Sequence, residues 1–281
     1  MAQHPNDVAV PVPYRSKMLN ELQPGQTLTV HGVVNAGCER FSVNLHSGSA
    51  ELNPHMGTIP LHVSVRFDDD KIVLNSYQGG LWAEEERVKN PLKVGEPFDM
   101  RIRVHDDKYE ISVDQKEIAE FKHRFPLKTV DHISIDGGVT LKGVHWGGRY
   151  FELPYTTDFQ GGGLASGQRL YVYGIPKGDR FEVNLLNKAG EAAFHFNPRF
   201  GEKAVVRNAE VHGAWGNEER EGHFPFKKDI GFDLVIVNEP FSIQIFVDGE
   251  RFGTFAHRGD PSDYARLRIA GDLELTGVEI S

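Results

Sequence analysis

Hydrophobic and polar residues alternate in short runs along most of the chain. Runs such as RFSVNL at 40–45, LHVSVRF at 61–67 and KYEISVD at 108–114 are rich in β-branched and aromatic residues, and turn residues such as DDDK and VDGE separate the runs. A period of two places alternate side chains on opposite faces of a strand. No long stretch keeps the spacing of an amphipathic helix. The pattern therefore predicts an all-β protein built from antiparallel β-sandwiches.

The same pattern occurs twice along the chain. The segment LHVSVRFDDDKIVLNSYQGGLWAEEER at 61–87 matches FHFNPRFGEKAVVRNAEVHGAWGNEER at 194–220 without a gap, and flanking segments match as well. A repeat of this length is a whole domain rather than one unit of a solenoid. The sequence therefore predicts two tandem domains, at 1–149 and 150–281, joined by a short linker.

Three hydrogen-bonding residues alternate on the first strand of the second matching segment. His195, Asn197 and Arg199 would lie on one face of this strand, with phenylalanine rings on the other. The polar and aromatic residues that follow on the next strands are Asn208, Trp215, Glu218 and Arg220. A polar row is often only the solvated face of a sheet. An aromatic ring beside such a row favours a binding site, because an exposed ring gains from a partner that covers it.

These residue types suit a sugar. The hydroxyls of a pyranose both donate and accept hydrogen bonds, and His, Asn, Glu and Arg side chains together supply both kinds of partner. Galactose also has one face of C–H groups, because its axial 4-hydroxyl points the other way. We therefore expect this face to stack on Trp215 while the polar row binds the axial hydroxyl. We expect Arg220 to fix the carboxylate of Glu218 through an ion pair.

The motif HFNPRF, the downstream Asn208 and the motif WGNEER together resemble the sugar-binding signature of the galectins. The two copies resemble a two-domain, tandem-repeat galectin of the nematode type, and the similarity covers nearly all of the chain. The resemblance implies a galectin-like jelly-roll β-sandwich in each domain and binding of β-galactosides such as lactose and N-acetyllactosamine. It implies a lectin rather than an enzyme, with no metal and no cofactor. It also implies a cytoplasmic pool and secretion without a signal peptide.

The resemblance implies a role for each site residue. His195, Asn197 and Arg199 would contact the galactose 4-hydroxyl, Asn208 and Glu218 the 6-hydroxyl, Trp215 would stack, and Arg220 with Glu218 would reach the next sugar. The matching positions of the first copy are His62, Ser64, Arg66, Asn75, Trp82, Glu85 and Arg87.

The first copy departs from the pattern at Ser64, where the second copy has Asn. Serine offers one hydroxyl on a short stem, so we expect the first site to bind galactosides more weakly or with an altered preference. Ala83 replaces the Gly of the WG motif, which we expect to be tolerated. Both copies also have a short turn after the arginine, FDDDK or FGEKA, where many relatives have a longer loop. The sequence therefore does not predict which contacts are made to sugars beyond the core galactose.

Composition and charge narrow the alternatives. The 281 residues carry a net charge of −9, which disfavours nucleic acid and acidic membranes as partners. No apolar run approaches the ~20 residues of a transmembrane segment, and the N-terminus lacks the pattern of a secretory signal. The single cysteine, Cys38, excludes an intrachain disulfide, and there is no Asn-X-Ser/Thr sequon. These features predict a protein of a reducing compartment.

Rival functions are weaker, and one stays open. A glycosidase needs two carboxylates ~5–10 Å apart across a bond, whereas Glu218 and Glu219 are neighbours that should point to opposite faces. His195 and His212 lack the spacing of a zinc site, and no cysteine is near them. An interaction scaffold in which only the second copy retains sugar binding is the alternative that Ser64 keeps open. Association of two or more copies of the chain through their sheet edges is a further alternative that the sequence leaves undecided.

Overall fold

The computed structural model describes residues 8–48 and 57–281. In the first half of the chain the strands are β1 (Tyr14–Met18), β2 (Thr27–Val34), β3 (Arg40–His46), β4 (Ile59–Arg66), β5 (Lys71–Gln78), β6 (Leu81–Trp82), β7 (Glu86–Lys89), β8 (Pro97–Val104), β9 (Lys108–Val113), β10 (Lys116–Lys122), β11 (His132–Gly137) and β12 (Val139–Gly147). In the second half they are β13 (Tyr155–Asp158), β14 (Arg169–Leu186), β15 (Ala192–Arg199), β16 (Ala204–Asn208), β17 (Glu210–Val211), β18 (Ala214–Trp215), β19 (Phe232–Asn238), β20 (Ser242–Val247), β21 (Glu250–Ala256) and β22 (Arg266–Ile280). Two short 3₁₀ turns, Leu127–Thr129 and Gln160–Gly162, join strands. Within the described ranges, no helix has the length and apolar character needed to cross a membrane.

The chain divides into two compact units after Arg149, the position at which the first copy of the repeat ends. The chain ends do not follow the repeat: Val278–Ser281 group with the N-terminal unit, and the described residues before Val10 group with the C-terminal unit. The last strand adds to the edge of β1, where Met18 pairs with Glu279. The Tyr14 hydroxyl also donates to the Glu279 carboxylate at 2.6 Å. These contacts explain why the final residues group with the first copy.

In the N-terminal unit, two antiparallel sheets face each other. One sheet has the order β1-β11-β3-β4-β5, with β6 and β7 on the outer edge of β5, and we call it the site sheet. The other, the back sheet, has the order β10-β9-β8-β2-β12. The rings of Phe41 and Phe98 stack across the core with centroids 5.3 Å apart, and Val43, Leu45 and Ile111 are buried. The expected β-sandwich is confirmed.

The C-terminal unit builds the same sandwich with longer strands. Residues 169–174 of β14 pair with β19 in the back sheet, whereas residues 180–186 pair with β15 in the site sheet. The first residues of β22, 266–269, pair with β13. Phe181 and Phe232 stack with centroids 5.2 Å apart, the counterpart of the ring pair in the other unit.

Candidate carbohydrate-binding sites

Each unit carries a cavity on its site sheet. The cavity of the C-terminal unit measures about 350 Å³ and is lined by His195, Arg199, Asn208, Trp215, Gly216 and Glu218. A neighbouring cavity of about 200 Å³ shares His195 and Trp215. The cavity of the N-terminal unit measures about 390 Å³ and is lined by Arg40, Phe41, Ser42, His62, Ser64, Arg66, Asn75, Trp82, Glu85, Asp136 and Gly137. The repeated motif therefore forms a concave site twice.

Strand register brings distant residues of the motif together. His195 on β15 pairs with Asn208 on β16, and His62 on β4 pairs with Asn75 on β5. Along β15 the alternation is as predicted: Phe194 and Phe196 are fully buried, whereas His195 is partly exposed. The polar row therefore faces away from the core.

Three predicted site residues do not reach the cavity walls. Arg87 and Arg220 donate to the site glutamates without lining the cavities, and Asn197 lies beneath Arg199. The amide of Asn197 is 4% exposed; its Nδ2 donates to the Phe181 carbonyl at 2.7 Å and its Oδ1 accepts from Arg199 Nε at 2.7 Å. Asn197 therefore supports Arg199 from below.

Because of Ser64, the base of the N-terminal cavity is lined by different residues from that of the C-terminal cavity. The Ser64 hydroxyl lies 3.4 Å from Arg66 Nε, and this cavity extends to Phe41 and Gly137. The cavity of the C-terminal unit does not include their counterparts, because the longer amide of Asn197 fills that space.

The site histidines are neutral and have a fixed tautomer. Nδ1 of His195 lies 2.5 Å from Oδ1 of Asn184, and Nδ1 of His62 lies 2.5 Å from Oδ1 of Asn44. An amide oxygen only accepts, so the proton sits on Nδ1 and Nε2 is left as an acceptor for a ligand hydroxyl. Burial lowers the pKa of both imidazoles, that of His62 to about 4. Sequence reasoning missed both asparagines, although VNL recurs at their positions in both copies.

The two tryptophans form exposed aromatic walls. Trp215 is 53% exposed with its ring 5.0 Å from His195, and Trp82 is 51% exposed with its ring 4.7 Å from His62. Trp82 also packs at 5.0 Å on Tyr77, a position that Glu210 takes in the second copy. Each indole therefore presents a flat apolar face beside polar partners.

Two arginines and two carboxylates alternate in a closed set in the C-terminal unit, which we call the charge ring. Arg199 lies 3.1 Å from Glu218, Glu218 lies 2.7 Å from Arg220, Arg220 lies 2.7 Å from Glu202, and Glu202 lies 3.4 Å from Arg199. Hydrogen bonding to Arg220 lowers the pKa of both carboxyls. The ring therefore holds Glu218 ionised, as an acceptor with a fixed direction.

The N-terminal unit has the same ring, but it is looser. Asp69 replaces the glutamate, and it lies 3.6 Å from Arg87 and 4.0 Å from Arg66. Glu85 lies 3.3 Å from Arg66 and accepts from Arg87 Nε at 2.9 Å. Sequence reasoning missed Asp69 and Glu202; the available signal was an acidic residue three positions after the arginine of each copy.

The acidic residue next to the site glutamate points elsewhere. Glu219 contacts Arg258 at 3.4 Å and does not line the cavity, whereas Glu218 does. Glu219 forms an isolated bridge with Arg207, outside the named strands, and the two neighbouring carboxylates contact different arginines. Among residues 8–48 and 57–281, no group of three His, Cys, Asp or Glu side chains is placed to hold a metal ion.

A two-sheet sandwich with a tryptophan-walled polar cavity, present twice, defines a lectin with two carbohydrate-recognition domains. The model of the galactoside-binding lectin family matches residues 13–146 and again 154–280. The chain therefore belongs to the galactoside-binding lectins, the galectins, as the sequence resemblance indicated.

Relatives with two domains match the chain along nearly its whole length. It is 53% identical over 272 residues to the 32 kDa beta-galactoside-binding lectin of Caenorhabditis elegans, covering 96% of both chains. It is 51% identical over 276 residues to the 32 kDa beta-galactoside-binding lectin of Haemonchus contortus, covering 96% of this chain and 95% of that one. It is also 30% identical over 314 residues to human galectin-4, with 96% and 95% covered.

Proposed function

We propose that this protein is a bivalent β-galactoside-binding lectin that crosslinks lactose- and N-acetyllactosamine-type glycans. The observation that carries the proposal is the pair of cavities, each with an exposed indole facing a neutral histidine acceptor and an arginine–glutamate pair. The names of the 32 kDa relatives support the same ligand class.

The polar groups match the hydroxyls of galactose. His195 Nε2 accepts a hydrogen bond, and the guanidinium of Arg199 donates, so together they bind a hydroxyl that does both. The ionised Glu218 accepts from a second hydroxyl, to which Asn208 donates. The C–H face of the ring stacks on Trp215. A sugar whose 4-hydroxyl is equatorial cannot present that hydroxyl to the His195–Arg199 pair while stacked.

Calorimetric titration of the whole chain with lactose tests the proposal. We expect two sites in the parent, one of them lost in Arg66→Ala and the other in Arg199→Ala. Each arginine donates charge-assisted bonds worth about 1.5–3 kcal/mol apiece, so the affinity of its own site should fall at least about tenfold. A matched control is Lys177→Ala, which removes an exposed cation from Asp229 and leaves both cavities intact. No heat with lactose in the parent would refute the proposal.

We further propose that the N-terminal site is the weaker or altered one. Ser64 contacts Arg66 through a single long hydrogen bond of 3.4 Å, and the charge ring beside it is looser. The alternative function is an interaction scaffold in which only the C-terminal unit binds sugar, so that these differences would have abolished sugar binding in the N-terminal unit. A single lactose site that Arg199→Ala abolishes and Arg66→Ala leaves intact would favour the scaffold.

Two sites on one chain can bridge glycans on different surfaces. Simultaneous binding raises the local concentration of the second site and strengthens attachment. Arg199→Ala and Arg66→Ala should therefore each abolish agglutination of galactoside-coated beads while one site still binds lactose. Agglutination that survives in either variant would point to a homo-oligomer, which the mass of the variant in solution would reveal.

We propose a binding protein without catalytic activity. Glu218 is held between Arg199 and Arg220, so its lowered pKa makes it a poor proton donor. Release of product from a chromogenic galactoside would overturn this.

We also propose that the protein has a cytoplasmic pool and is secreted without a signal peptide. The free thiol of Cys38, buried and with its pKa raised by burial, suits a reducing compartment; fractionation of producing cells and their medium tests both locations.

A further inference from the structure

An arginine beyond the end of a back-sheet strand reaches the site asparagine in each unit. Arg258 follows β21; its Nη1 donates to Asn208 Oδ1 at 2.7 Å, and its Nη2 donates to the Asn217 carbonyl at 2.8 Å and lies 3.4 Å from Glu219. Asn217 lies between the tryptophan and the glutamate of the site. The guanidinium therefore ties the site asparagine to the segment that carries the other contacts.

The N-terminal unit repeats this arrangement. Arg124 follows β10, and its Nη1 donates to Asn75 Oδ1 at 3.2 Å. Its Nη2 donates to the Glu84 carbonyl at 2.9 Å and to the Glu86 carboxylate at 3.0 Å. Arg124 and Arg258 are not among the residues that line the two site cavities, so each acts through its asparagine.

A buried ring anchors each guanidinium. The guanidinium carbon of Arg258 lies 4.8 Å from the ring centroid of Phe255, and that of Arg124 lies 4.4 Å from Phe121. Both phenylalanines are fully buried. A planar guanidinium held against a fixed ring keeps its donors in set directions.

These contacts leave the side-chain amide of Asn208 with one N–H that can still donate a hydrogen bond. Its Oδ1 accepts from Arg258 and from the backbone N–H of Ala209 at 2.8 Å, which uses both lone pairs. Its Nδ2 donates one hydrogen to the Gly216 carbonyl at 2.9 Å. The second hydrogen of Nδ2 is what the amide can offer to the cavity. The guanidinium therefore acts together with the Ala209 N–H and the Gly216 carbonyl to keep the amide oxygen away from the ligand.

We propose that Arg258 and Arg124 are positioning residues that fix Asn208 and Asn75 as hydrogen-bond donors to the galactoside. This inference rests on the proposed function, because the ligand hydroxyl concerned is the 6-hydroxyl of galactose. That hydroxyl accepts from the asparagine and donates to the ionised glutamate.

A glycine sets how closely the arginine approaches. A Cβ at Gly216 would lie 2.6 Å from Arg258 Nη1, so an alanine there would displace the tip of the arginine from its 2.7 Å bond to Asn208. The first copy has Ala83 at this position, and its arginine lies 3.2 Å from the asparagine. The alanine that we expected to be tolerated therefore coincides with a longer contact in the N-terminal unit.

The test compares lactose with 6′-deoxylactose, which lacks the hydroxyl in question. Titrations use the whole chain with Arg66→Ala, so that only the C-terminal site is read. We expect the parent to prefer lactose at least about tenfold, since two hydrogen bonds are lost with the hydroxyl. In Arg258→Met, lactose affinity should fall about tenfold and the preference should shrink to about threefold or less, because the amide loses one of the two donors that hold its oxygen away from the cavity. A merely structural role predicts equal losses for both ligands; an unchanged preference overturns the inference.

Two milder variants keep the test decisive if Arg258→Met unfolds. Gly216→Ala retains the arginine but displaces its tip, and it should lower the preference for lactose about threefold. Ala83→Gly, read in the Arg199→Ala chain, should raise the preference of the N-terminal site by a similar factor. Lys177→Ala should change neither. Unchanged preferences in both glycine–alanine exchanges overturn the inference, whereas a parent that binds neither sugar overturns the proposed function itself.

Discussion

The two sites place the same kinds of side chain at the same positions of the sheet, yet the N-terminal site is looser at three of its supports. Arg66 has a hydroxyl at 3.4 Å where Arg199 has an amide oxygen at 2.7 Å. The carboxylate in the turn lies 3.6 Å from its arginine in the first copy and 2.7 Å in the second. The arginine behind the site asparagine lies at 3.2 Å and 2.7 Å, respectively.

Each of these differences traces to a small change in side-chain length. Serine replaces asparagine at position 64, aspartate replaces glutamate at 69, and alanine replaces glycine at 83. The strands carry the ligand-facing residues to their places in both units, but the residues behind them decide how rigidly they are held. Preorganised donors and acceptors lose less conformational entropy on binding, so we expect the C-terminal site to bind galactose more tightly.

The largest effect on lactose binding should come from removing the tryptophan, which is present in each of the two sites. Trp215→Ala or Trp82→Ala should weaken lactose binding at its own site about 10- to 100-fold, because stacking buries apolar area worth about 1.5–3 kcal/mol. The free energy of unfolding should change by less than about 1 kcal/mol, since half of each ring is already exposed. Calorimetry and urea unfolding check both. The control is Phe241→Ala, an 87% exposed ring in a turn of the back sheet, which should not affect lactose binding.

Exchanging serine and asparagine should move the two sites toward each other. Asn197→Ser leaves the Phe181 carbonyl without its side-chain donor and Arg199 Nε without its close acceptor, so lactose affinity should fall about tenfold and the free energy of unfolding by about 1–3 kcal/mol. Ser64→Asn should raise the affinity of the N-terminal site several-fold, on the order of one hydrogen bond. An unchanged affinity in both variants would show that this support is irrelevant to the difference between the sites.

Exchanging the acidic residues of the turns should have a smaller effect. Glu202→Asp should weaken the C-terminal site about threefold, and Asp69→Glu should strengthen the N-terminal site by a similar factor, because water screens exposed ion pairs and keeps their contribution small. High salt should reduce both changes. Titration at low and high ionic strength checks this, and a salt-independent change would contradict the electrostatic explanation.

The smallest effect should be that of mild acid on the N-terminal site. Since burial lowers the pKa of His62 to about 4, its imidazole stays neutral at pH 5.5, and lactose affinity should change by less than about twofold from pH 7. A histidine with an ordinary pKa would be mostly protonated there and would cost about tenfold. Titration of the Arg199→Ala chain at both pH values distinguishes the two.

The same shift affects stability in a defined direction. The unfolded chain takes up the proton of His62 first, near pH 6.5, so the stability conferred by the neutral imidazole is complete above that pH. It is lost as the pH falls from about 6.5 toward about 4. Urea unfolding of the Arg199→Ala chain across this range should follow that loss.

Much of the candidate binding surface could be predicted from the chain alone. Alternation with a period of two located the strands, and the gapless repeat located both sites, because residues 13 positions apart, such as His195 and Asn208, meet across a short hairpin. The supporting residues were not predictable in the same way. Asn184 lies on β14 and Arg258 follows β21, both outside the motif, and nothing in their local spacing shows which side chain they contact.

The sequence by itself determined the all-β class, the duplication, and the identity of the residues that form each polar row and its aromatic wall. Those properties depend on local periodicity and short-range pairing. Only the tertiary structure decided that Asn197 lies beneath Arg199, that Val278–Ser281 group with the first copy, and that Gly216 admits Arg258 against Asn208. These depend on distances of a few tenths of an ångström between segments far apart in the chain, which are set by how the two sheets of a sandwich pack.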